Sequence, residues 1–137
     1  MPDLKKFDPK ESVVSINNSY NVSGFASDFI TGSADNDGVT FVEGAMGDVV
    51  ANINPSQMGT ITITLLATSP SVAFLNRLAK TKEWFSIWVA HKSLGERFGG
   101  SHAMVSKVPD GSYGTTVGNR VFTIKVADYT FDSSTIA

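Results

Sequence analysis

The sequence predicts a mainly β domain carrying one helix, an α+β fold. Apolar and polar side chains alternate at period two along most of it, clusters of Asn, Asp, Gly and Pro punctuate that alternation at short intervals, and a single segment switches to helical spacing. The chain has 137 residues, of which 42% are hydrophobic and 18% charged, enough apolar material for one compact domain with a packed core. We therefore read residues 1–137 as one domain.

In chain order, Ser12 to Ile16 is the first candidate strand, closed by the turn pair Asn17-Asn18. Tyr20 to Phe25 and Asp28 to Ser33 follow, ending at Asn36-Asp37-Gly38. Val39 to Val42 and Asp48 to Ile53 then flank Glu43-Gly44 as a hairpin, and Asn54-Pro55 stops it. The clearest strand is next. Ile61, Ile63 and Leu65 interleave with Thr60, Thr62 and Thr64, which places branched apolar groups on one sheet face and hydroxyls on the other.

Ser69-Pro70 sets a hydroxyl at a helix N-cap and a proline at the first helical position, where its missing N–H costs nothing. Val72, Leu75, Leu78 and Ala79 recur at helical spacing, with Asn76, Arg77 and Lys80 for the wet side, until Thr81-Lys82. A helix this short must dock on a sheet. Beyond it, Trp84 to Ala90 splits at period two into Phe85, Ile87 and Val89 against Trp84, Ser86 and Trp88, and both faces read as buried, the tryptophan face under the helix, a loop or another chain. Arg97 to Lys107 is a further strand, followed by the turn Pro109-Asp110-Gly111. In the last strand, Phe122, Ile124 and Val126 alternate with Val121, Thr123, Lys125 and Ala127. Residues 1–11 and 133–137 read as an N-terminal arm and a C-terminal tail.

Composition narrows the function. Thirteen acidic against eleven basic residues give a net charge of −2, which argues against general attraction to phosphate or anionic lipid. Zero cysteines and two lone histidines, His91 and His102, leave no expected metal site and no expected cofactor. Asp35-Asn36-Asp37-Gly38 resembles a calcium loop, but that register puts Ser33 at the first ligand position and Gly44 where a glutamate belongs, so a solvated hairpin turn is expected. Ser101-His102 sits in no nucleophile elbow, and no enzyme is expected. The polar start lacks the apolar core of a secretion signal, and no stretch is long and apolar enough to anchor in a membrane, so a cytoplasmic origin is expected.

The block Gly59-Thr60-Ile61-Thr62-Ile63-Thr64-Leu65-Leu66, followed by Thr68-Ser69-Pro70-Ser71 and Leu75, resembles the tail-tube proteins of contractile-tailed bacteriophages. Val22-Ser23-Gly24-Phe25, Asp28-Phe29-Ile30, the turn from Glu43 to Asp48 and Lys107-Val108-Pro109-Asp110 fall in the same order around it, so the resemblance runs from about Ser12 to Phe131. It implies a β-sandwich or half-barrel that closes with neighbouring subunits into a ring, usually a hexamer, stacked into a hollow tube. It also implies a sheath outside, a baseplate and a terminator at the ends, assembly in the host bacterial cytoplasm, a final place in the virion, and DNA as non-specific cargo in transit. Similar subunits build the inner tubes of type VI secretion and of bacteriocins.

On that basis Thr60, Thr62 and Thr64 are expected to line the lumen, an uncharged face that hydrates while offering no cation to phosphate. Val39, Phe41, Met46, Val49 and Val50 on the hairpin, together with Trp84 and Trp88, are expected at subunit contacts. A small ligand-binding β-barrel is the reading from another class, with Trp84, Phe85, Trp88 and Phe98 as its pocket.

Overall fold

A computed structural model describes residues 12–91 and 94–133, so the arm at 1–11 and residues 134–137 of the tail lie outside the described residues. The strands are β1 (Ser12–Ile16), β2 (Tyr20–Asn21), β3 (Phe25–Ala34), β4 (Val39–Glu43), β5 (Val49–Ile53), β6 (Gly59–Leu65), β7 (Phe85–His91), β8 (Glu96–Lys107), β9 (Arg120–Val126) and β10 (Thr130–Ser133), with helix α1 (Ser71–Thr81) between β6 and β7. The main sheet runs β2-β1-β7-β8-β9-β6-β3, with β10 on β8, and its described pairings are antiparallel. The hairpin β4-β5 forms a separate sheet. This is the expected mainly β half-barrel with one helix, and it stays open, with β3 at one edge.

The core sits on one face of the main sheet. Ile61, Ile63 and Leu65 of β6 pair in register with Ile124, Phe122 and Arg120 of β9, and the apolar members of these pairs are fully buried. Val14, Ile16, Phe85, Ile87 and Ala103 complete this face, and Leu75 of α1 closes over it. Ser69 Oγ accepts the N–H of Ser71 at 3.2 Å and Pro70 already has helical dihedrals, as expected of an N-cap and first helical residue. Ser69 Oγ also donates to Ser23 O at 2.5 Å, and Ser71 Oγ accepts Ser23 N–H at 3.0 Å, which ties the helix start to the chain between β2 and β3. Phe74 stacks on Tyr20 at 3.8 Å between ring centroids.

Long β8 serves two neighbours in succession: its first half carries β10 and its second half carries β9. Gly99 has a φ of +143° and approaches the Ile87 carbonyl so closely that a side chain is excluded, and the register with β7 shifts just beyond it, between Gly100 and Ala103. The curl brings edge strand β3 across to β8, so that the Phe98 ring lies over Gly32 and the Tyr129 ring over Gly59.

Several boundaries differ from expectation: the strand expected over Tyr20 to Phe25 ends at Asn21, and Phe25 instead opens β3, which was expected only from Asp28. Strand β10 was not legible, and Ser133 ends it rather than beginning a tail. Asp35 to Gly38 links the two sheets instead of closing a hairpin, because β3 pairs with β6 while β4 pairs with β5.

Candidate functional site

Two strands in register build the first surface. Thr60, Thr62 and Thr64 stand half-buried opposite Lys125, Thr123 and Val121, while Ser33 and Thr31 of β3 flank Thr60 and Thr62. The hydroxyls form a continuous face on the side of the sheet away from the core.

That face is not free of cations. Lys125 stands at one end of it, opposite Thr60, and its Nζ donates to Thr60 Oγ1 at 2.7 Å and to Asp35 Oδ2 at 3.1 Å. Thr60 Oγ1 in turn donates to Asp35 Oδ1 at 2.6 Å. These hydrogen bonds, from Thr60 first and Lys125 next, hold the Asp35 carboxyl below the ordinary aspartate value. Lys107, opposite Thr123 at the end of β8, is a second cation on this side. The expectation of a cation-free threonine face is therefore corrected: the alternation around Phe122 already placed Lys125 beside Thr123, and only the β6-β9 register shows that it meets Thr60.

The second surface is the hairpin. Every residue of β4 and β5 is exposed, with Phe41 at 69%, Ile53 at 81% and Met46 at the turn at 91%. The register divides the expected contact residues between two faces. Val39, Phe41 and Val49 share one with Ile53, while Val50 pairs with Val42 on the other.

The tryptophans occupy a third region. Phe85, Ile87 and Val89 are buried, as expected. Helix α1 packs Leu75 on that side, so it does not cover the opposite one. Trp84 precedes β7, is 58% exposed and meets the edge of His102. Trp88 is half-buried beneath the Arg97 guanidinium, 4.2 Å from the ring centroid. Phe98 stacks instead with Phe131 and leans on Tyr129. The four aromatics read as a pocket thus diverge. A concavity of about 470 Å3 lies elsewhere, lined by Lys107, Asp110, Ser112, Asn119 and Thr123 among others.

The fold also gathers Ser101, His102 and Asp128, residue types that invite a catalytic reading. A relay needs the imidazole between hydroxyl and carboxylate. Here Ser101 Oγ donates directly to Asp128 Oδ2 at 2.5 Å, and the carboxylate also accepts the backbone N–H groups of Ser101 at 3.1 Å and His102 at 3.0 Å. The arrangement anchors the chain after β9 to β8. Among the described residues no cluster of three His, Asp or Glu side chains could hold a metal, and no helix is long and apolar enough to cross a membrane.

The sequence model for the bacteriophage PhiTE tail tube protein matches residues 11–128. The chain belongs to this phage tail tube family. No curated protein matches it. Among solved structures, the fold is similar to the extended sheath-tube complex of an extracellular contractile injection system, PVC, at TM-score 0.63 and 14% identity, over 94% of this chain and 93% of that one. It is also similar to the tube-terminating cap of the anti-feeding prophage, at 0.64 and 11%, over 98% and 95%. The virion of a native gene transfer agent gives 0.64 and 11%, over 93% and 100%. At these identities the likeness is one of fold. This family member has its fold's outer face, open edge and hairpin all turned to solvent, and a tail-tube role accounts for surfaces of that kind.

Proposed function

We propose that the chain builds the hollow inner tube of a contractile phage tail, as rings of six subunits stacked into a cylinder that conducts DNA out of the virion. The observation that carries the reading is the β4-β5 hairpin, whose Phe41, Val49 and Ile53 are exposed on an isolated two-stranded sheet. Such a hairpin is marginal in water by itself and calls for a partner. A neighbouring subunit or ring supplies it through Val39, Phe41, Met46, Val49 and Val50. Ring closure pairs the open β3 edge with the next subunit, which removes an aggregation-prone edge, and a head-to-tail contact of this kind closes into a cycle.

In that cylinder Thr60, Thr62 and Thr64 face the bore and hydrate it, and DNA passes as cargo without sequence recognition. Trp84 and Trp88 lie at a subunit contact, so tryptophan emission should shift to the blue when tubes form; unchanged emission removes them from the interface. A sheath surrounds the tube, a baseplate and a terminator hold its ends, and assembly takes place in the host cytoplasm. Negative-stain microscopy of concentrated purified protein tests the reading. Rings or long hollow rods are expected, and a protein that stays monomeric would overturn it.

A second reading, the inner tube of a bacteriocin or secretion device, draws on the fold shared with an extracellular contractile injection system. Neighbouring genes separate the two: capsid and terminase genes accompany a phage tail, and effector genes an injection device.

A further inference from the structure

Asp35, just after β3, Thr60, near the start of β6, and Lys125, near the end of β9, lie 25, 65 and 90 positions apart and meet only when the three strands are in register. They close a ring of hydrogen bonds: the ammonium donates to both partners, and the hydroxyl that accepts from it donates onward to the carboxylate. Asp35 is held from behind by its backbone N–H, which donates to Met58 O at 2.9 Å. An unpaired lysine repeated in every subunit would line a polyanion's path with cations, each able to take a phosphate and release a counterion. Paired as it is, the charge is balanced locally and two of the three ammonium donors are occupied.

We propose that Asp35, positioned by Thr60, masks Lys125 so that a polyphosphate chain sliding along the hydroxyl face is not retained. The inference rests on the reading of this face as the bore. Thr60 thereby has a role beyond wetting the wall: it fixes the carboxylate and the ammonium against each other. Lys107, opposite Thr123, stands outside the mask.

The test uses self-assembled tubes, sheared short and incubated with a fluorescent DNA duplex, for the unmodified protein, Asp35→Asn and the double variant Asp35→Asn/Lys125→Gln. Asp35→Asn should retain the duplex about tenfold more strongly at low salt, with a steeper fall as salt rises, and the second substitution should abolish the gain. Equal retention by Asp35→Asn and unmodified tubes overturns the mask. Extra retention that a nuclease removes upholds the mask but rejects the bore assignment, whereas nuclease-protected retention upholds both. If Asp35→Asn does not form tubes, acylation of Lys125 by an amine-reactive ester, followed on the soluble subunit by mass spectrometry, decides the matter. The amine should react faster in Asp35→Asn than in the unmodified chain, and an unchanged rate overturns the proposal.

Discussion

Strands β6 and β9 and strands β4 and β5 are both antiparallel pairs rich in branched and aromatic residues, yet their fates differ. In the first pair Ile61, Ile63, Leu65, Phe122, Ile124 and Val126 are completely buried. In the second, Phe41 and Ile53 keep most of their surface in water. Period-two alternation states that one face of a strand needs cover; it does not state whose. Burying one such side chain is worth about 1.5–3 kcal/mol, a stabilisation that the body has gained and that the exposed hairpin would gain only under the proposed contact with a neighbour.

The largest effect should come from exchanging damage between the two regions. Phe122→Ala empties a fully enclosed site and should cost about 3–5 kcal/mol in urea unfolding of the subunit, enough to threaten the fold. Phe41→Asp should leave the unfolding midpoint within about 0.5 kcal/mol of the unmodified protein, yet abolish tubes in the microscope. If Phe41→Asp unfolds the subunit as Phe122→Ala does, the hairpin is packed in solution and the contrast fails.

A middle-sized effect probes the seam where the half-barrel curls. A Cβ at Gly59 would overlap the Tyr129 ring, so Gly59→Ala should cost about 1–3 kcal/mol in the same unfolding experiment. The companion Gly38→Ala, in open space between the sheets, should fall near zero. A cost at Gly59 no larger than at Gly38 would mean that Tyr129 does not seat there in solution.

Those glycines mark the boundary of what a sequence can express. Strand β1, the hairpin strands, β6, the Ser69-Pro70 helix start and the β9 pattern are written in local periodicity and capping chemistry, and each was legible. The turn Asn17-Asn18 was legible too, since both residues take positive φ as a tight hairpin turn demands. Whatever depended on pairing distant strands was not. Strand β10 has only four residues and forms because β8 offers it an edge. Helical spacing marked Leu75, but Phe74 found its partner in Tyr20, far back in the chain. The candidate surfaces divide the same way: the threonine face follows from alternation, whereas its Lys125-Asp35 pair and the two-faced division of the hairpin follow from register.

The smallest effect concerns Asp128, which belongs to the body. Burial pushes its carboxyl upward, but hydrogen bonds from the Ser101 hydroxyl and from the backbone N–H groups of His102 and Ser101 outweigh it and hold the group below the ordinary aspartate value. A carboxyl depressed in the folded state contributes stability that is fully present above its unfolded value and is lost as pH falls through the folded one. Because the group is partly exposed, the loss should be less than about 1 kcal/mol between roughly pH 6 and pH 3. Asp35 is shifted in the same direction, so the comparison is made in an Asp35→Asn background. There, adding Asp128→Asn should flatten the acid limb of the urea midpoint against pH, since an amide has no proton to take up in that range. Phe41→Asp should leave that limb unchanged, because the hairpin takes no part in the Asp128 anchor. An acid limb that moved with Phe41 instead would join the two regions energetically and dissolve the distinction between a self-sufficient body and an exposed hairpin.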